Sequence, residues 1–137
     1  MPSDTLPLLR GLHQVAFAVR DLPSAVGFWR DVLGVRLLFE APPGLAFFDL
    51  GGVRAMLTRP EEHGAPPANS PLYFAVDDIR AAHAALAARG VAFEEPPRCI
   101  ATLPEAGGRK REVWLTAFRD GERNLLALMS EVPTAGG

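Results

Sequence analysis

The chain has 137 residues, 48% hydrophobic and 22% charged, with a formal net charge of −2. That length fits one domain with a core of its own, and the near-neutral balance, without a long basic run, gives no electrostatic reason to expect nucleic acid or an anionic membrane as a partner. The lone cysteine, Cys99, excludes an internal disulfide, and no apolar stretch approaches the roughly 18–20 residues needed to span a bilayer.

In chain order, Met1 to Arg10 lacks the basic start and sustained apolar run of a secretory signal, so a reducing cytoplasm is the expected location. Arginine outnumbers the single Lys110, and alanine is frequent, as in GC-rich bacterial genomes. Val15, Phe17 and Val19 alternate with Gln14, Ala16 and Ala18, the period of a strand with one face in a core. Asp21 can cap the helix that follows, Pro23 suits its first turn, and an apolar face of Ala25, Phe28, Trp29, Val32 and Leu33 runs to a stop at Gly34. Strands are expected over Val35 to Glu40 and Leu45 to Leu50. Gly51-Gly52 then favours a two-residue hairpin into Val53 to Thr58.

Residues 59–70, with three prolines and no apolar period, read as a linker. Leu72 to Val76 begins a second unit. Asp77 or Asp78 caps a helix through Ile79, Ala82, Leu86 and Arg89 to Gly90, and Val91 to Glu94 reads as the next strand. Arg98 to Arg111, with Gly107-Gly108 and a basic triplet, reads as a solvated loop that could overhang a cleft. The last strands are Val113 to Arg119 and Asn124 to Glu131, and Pro133 to Gly137 reads as a frayed tail.

The two halves echo one another. His13 to Leu22 is answered by Ser70 to Ile79, Gly34-Val35 by Gly90-Val91, and Phe39-Glu40-Ala41-Pro42-Pro43 by Phe93-Glu94-Glu95-Pro96-Pro97. Modules this short cannot each bury a core alone, so they should pack together with a ligand space between them.

These strings, with Phe28 to Gly34, Phe74 to Ile79, and Phe118 to Gly121 leading to Asn124 to Leu128, resemble the vicinal oxygen chelate superfamily of glyoxalases, bleomycin resistance proteins and extradiol dioxygenases. The resemblance covers about Leu12 to Glu131. It implies an α+β fold of two tandem βαβββ modules (about 11–58 and 71–131, one domain over 1–137) forming a half-open, mostly antiparallel barrel-like sheet with a central cleft. The family's last turn usually has Pro after its Asp and Gly before its Asn. Gly121 and Arg123 stand there instead, so the register of that turn must be rebuilt.

Metal-using members hold a divalent ion on the cleft side of four strands. Carried over residue by residue, those ligand positions fall on Gln14, Met56, Pro71 and Ala127. Only Gln14 offers an oxygen, so no metal and no other cofactor is expected. His13, one residue off the first position, is turned by strand parity towards the helices, where it reads as a hydrogen-bonded structural histidine. His83 reads as a packing residue on its helix, His63 as a solvated linker residue, and Cys99 as a small apolar side chain.

Strand parity gives the cleft residues: Gln14, Ala16, Phe47, Asp49, Arg54, Met56, Thr58, Tyr73, Leu115, Ala127 and Met129, with Asp49 and Arg54 expected to form an ion pair across the hairpin. On the same spacing Trp114 faces the helices, unless the rebuilt turn shifts it by one residue. The composition suits metal-independent binding of a small amphipathic or aromatic molecule, as in the bleomycin resistance branch. The alternatives are a superfamily enzyme (lyase, isomerase or dioxygenase) with a non-standard or metal-free site, using a group such as Asp49, Tyr73 or Glu131, and a pseudo-enzyme or interaction module. The resemblance also implies a homodimer.

Overall fold

The computed structural model describes residues 8–9, 11–41, 43–60, 69–104 and 106–134. His63 and most of the expected linker, residues 61–68, lie outside the described residues, as do 1–7 and 135–137. The chain runs β1 (Gln14–Ala18), α1 (Leu22–Gly27), β2 (Arg36–Ala41), β3 (Leu45–Asp49), β4 (Arg54–Thr58), β5 (Leu72–Ala75), α2 (Ile79–Ala88), β6 (Arg98–Pro104), β7 (Lys110–Arg119) and β8 (Leu125–Pro133). Two four-stranded sheets result, ordered β1-β4-β3-β2 and β5-β8-β7-β6, without closing into a barrel. In each, the module's first and last strands pair in parallel and the rest antiparallel. Among the described residues no helix is long and apolar enough to cross a membrane.

Both helices start as their sequences dictate. The Asp21 carboxylate accepts from Ser24 N at 3.1 Å, and Asp78 does the same for Ala81 N at 3.1 Å. Helix α1 continues through Phe28–Val32 as a widened turn, in which Leu33 N donates to Phe28 O at 2.9 Å. That turn presents Trp29, fully buried, to Phe17 and Phe48 of the first module and Phe74 of the second, with ring centres 5.5–5.9 Å apart. Phe28 similarly meets Phe118 at 6.5 Å. One core thus draws on both modules.

A second link joins the modules at their polar ends. The Asn69 amide donates to Ala18 O and accepts from Ala18 N, both at 2.7 Å, so it serves the free edge of β1 as a strand would; it also donates to Asn124 Oδ1 at 2.9 Å. Glu122 accepts from Arg20 N at 2.6 Å and Asp21 N at 2.8 Å. Asn124 and Glu122 belong to the β7–β8 turn, which Asp120 organises by accepting from the backbone amides of both at 2.8 Å. Arg123 takes φ 69°, a conformation that glycine adopts without cost. The turn therefore keeps its register, and Trp114 packs on the helix side with the Arg80 guanidinium 5.0 Å from its ring centre.

The second module departs from its sequence pattern. Val91 to Glu94 forms no strand; Phe93 makes one isolated bridge to Phe118, and pairing with β7 resumes only at Arg98, opposite Leu115. Pro96 and Pro97 between them have no amide hydrogen to give a ladder. The expected loop from Arg98 to Arg111 is instead β6, a short turn and the start of β7, with the basic triplet at a hairpin tip. The expected frayed tail is part of β8 as far as Pro133, and Thr134 N donates to Lys110 O at 3.0 Å.

The lone side chains also differ from expectation. Cys99 is exposed on β6 and therefore not a packing residue. His13 precedes β1 and is exposed, its carbonyl accepting from Arg54 N at 3.0 Å, so its imidazole is not in the core. His83 packs its ring 4.2 Å from that of Phe93.

Candidate functional site

The hairpin Leu50-Gly51-Gly52-Val53, with both glycines at positive φ, sets the register of β3 against β4. On the sheet face turned away from the helices, that register builds cross-strand rows. One row is polar: Arg36, Asp49, Arg54 and Gln14. The next is apolar: Phe39, Phe47, Met56 and Ala16. Arg36 and Phe39 escaped the sequence reading because a bulge at Leu38 shifts the alternation of β2.

Within these rows the contacts are specific. Arg54 Nε donates to Gln14 Oε1 at 3.0 Å, and Gln14 Nε2 donates to Met56 Sδ at 3.7 Å. The Arg54 guanidinium lies 5.3 Å from the centre of the Phe47 ring, which stacks on Phe39 at 4.6 Å. The expected Asp49–Arg54 ion pair does not form. The Asp49 carboxylate accepts from Gly51 N at 2.9 Å and caps the hairpin, a short-range bond that outcompetes a cross-strand pair needing a long side chain to be ordered.

The second sheet presents a plainer face. Tyr73, Ala127 and Ala117 form one row, and Ala75, Met129, Leu115 and Arg98 the next. Ala127, Thr58 and Phe47 are buried, at 0%, 1% and 8% exposure, so they close the surface more than they offer contacts. Tyr73 is 55% exposed. A cavity of about 550 Å³ runs between β5 and the β3–β4 hairpin, walled by Tyr73, Leu72 and Phe74 of the second module and by Val15, Arg36 and Asp49 of the first. Of the expected cleft residues it brings together only Asp49 and Tyr73; Gln14, Ala16, Phe47, Arg54, Met56, Thr58, Leu115, Ala127 and Met129 do not line it. A smaller cavity of about 270 Å³ on the helix side is almost wholly apolar, and its one charged residue, Arg89, donates to Val32 O at 3.0 Å. The charge perturbed most plainly lies on α1, where the Arg30 hydrogen bond holds the exposed Asp31 carboxyl below its usual range.

Residues 11–128 match the sequence profile of the Glyoxalase/Bleomycin resistance protein/Dioxygenase superfamily. The chain belongs to this superfamily. The metallothiol transferase FosB of Staphylococcus haemolyticus is 30% identical over 59 residues, 43% of this chain and 40% of that protein, so the chain matches less than half the length of this relative. A glyoxalase/bleomycin resistance protein/dioxygenase from Nocardioides superposes with a TM-score of 0.71 at 20% identity, covering 99% of this chain and 91% of that one. Lactoylglutathione lyase from Agrobacterium tumefaciens gives 0.68 at 20% identity, covering 90% and 96%. At such identities these neighbours show the shared fold alone.

The superfamily's metal can be tested against the donor set. Among the described residues no group of three His, Cys, Asp or Glu side chains is placed to hold an ion. At the four positions carried over from the superfamily, Gln14 supplies an amide, Met56 a thioether, and Pro71 and Ala127 nothing. The one oxygen, Gln14 Oε1, already accepts from the Arg54 guanidinium at 3.0 Å, and a cation that close repels a divalent ion. These residues do not fit a metal.

Proposed function

We propose that this superfamily member binds a small amphipathic or aromatic molecule without a metal, its polar end on the Gln14–Arg54–Asp49 row and its apolar part against Tyr73. The observation that carries the reading is the cavity that Asp49 and Tyr73 share from different modules, beside a row whose donors are already arranged. Such a space, mostly apolar with a few convergent polar groups, suits a small ligand. The test is a ligand screen by thermal shift in EDTA. Stabilising ligands whose effect survives EDTA and is lost in a Tyr73→Ala, Asp49→Ala double variant support the reading; a dependence on added metal overturns it.

A second reading, a metal-free superfamily enzyme, draws on that same proximity, since a carboxylate and a phenol in one cavity can move a proton. Turnover of a screened compound that falls in Asp49→Asn and in Tyr73→Phe supports it, and unchanged turnover in both removes these residues as the acid and base.

We also propose a homodimer. The edge strands β2 and β6 carry bulges that present Leu38 and Ile100, and Leu103 is exposed nearby on β6. Light scattering at micromolar concentration is expected to give twice the chain mass, and a monomer contradicts this.

A further inference from the structure

Resting on that binding reading, we infer that the ligand carries a carboxylate on a flat apolar skeleton and that Arg54 is its anchor. Arg54 is half-buried and has no carboxylate partner among the described residues, because the expected one, Asp49, is bonded to Gly51 N. A partly covered guanidinium without a counter-ion gains a charge-assisted partner from an arriving anion. Gln14 holds it by Nε alone, and none of the described residues accepts from its two terminal nitrogens. Those nitrogens form the fork that grips a carboxylate through two parallel bonds.

The skeleton follows from the neighbouring row. Phe47 lies buried under the guanidinium, and Phe39, stacked on it and 47% exposed, provides the accessible aromatic surface at the sheet edge. A ring attached to the bound carboxylate can lie along that surface, whereas a fully polar anion would leave it wet. Bonded to Gln14, the cation offers charge without coordination geometry.

The experiment titrates the intact protein with two matched pairs, 1-naphthylacetate with 1-naphthylacetamide and salicylate with salicylamide, followed by NMR at the Arg54 Nε and Gln14 side-chain amide signals. The acids are expected to bind about tenfold tighter than the amides and to shift the Arg54 Nε signal. Arg54→Gln should remove that preference and Arg54→Lys should keep part of it, with circular dichroism confirming that each variant is folded. Equal binding of acids and amides, with shifts on the Gln14 amide, overturns the carboxylate anchor while leaving the binding reading intact. If neither member of either pair moves these signals, both fall together.

Discussion

Arg54 Nε donates to Gln14 Oε1 across 3.0 Å, joining two strands that pair in parallel and fixing a guanidinium on the open face of the first sheet. The bond ties up the Gln14 amide oxygen, while the Asp49 carboxylate accepts from Gly51 N instead of Arg54.

Replacing that amide oxygen with a charge tests what the cation is for. Gln14→Glu places a carboxylate against Arg54 and is expected to raise stability by about 1 kcal/mol through a charge-assisted bond. It should also abolish any preference for acids over amides in the titration above. Retained preference would show that the anion binds elsewhere.

Arg123 holds φ 69° in the β7–β8 turn, and Arg123→Gly should relieve the left-handed strain. The expected gain is about 1 kcal/mol, read as a higher urea midpoint with an unchanged slope. Asparagine enters the left-handed region less readily than glycine, so an Arg123→Asn variant should gain less. A loss of stability in both would mean that the Arg123 side chain contributes more than its backbone costs.

Asn69→Ala removes three hydrogen bonds between the end of β1 and the second module's turn. About 2–3 kcal/mol should be lost, because the Ala18 N–H and C=O become unsatisfied while largely buried. Hydrogen exchange at Ala18 N should accelerate in the variant, and an unchanged rate would contradict this role for the amide.

The first module was legible because its signals are local. Asp21 before an apolar helical face, and two glycines between alternating runs, leave one arrangement each, and the hairpin then pairs Asp49 with Arg54 and Phe47 with Met56. Trp114 could be placed by counting back from Asp120 only because Arg123 tolerates a glycine's conformation. The failures share a different cause. Arg98 to Pro104 has no alternation to reveal β6, an exposed edge strand with a bulge at Ile100. The destination of the Arg54 side chain depended on Gln14, 40 residues away, and on the competing bond from Gly51 to Asp49. Register follows from sequence pattern, but the choice among hydrogen-bond partners is settled by packing that the pattern does not carry.

The claim that this cleft works without a metal is tested most directly by elemental analysis of protein purified without chelators and never exposed to an affinity metal. Zinc, nickel, manganese and iron are each expected well below one per chain. A stoichiometric amount of any of them, lost when Gln14 and Met56 are both changed to alanine, would contradict the account.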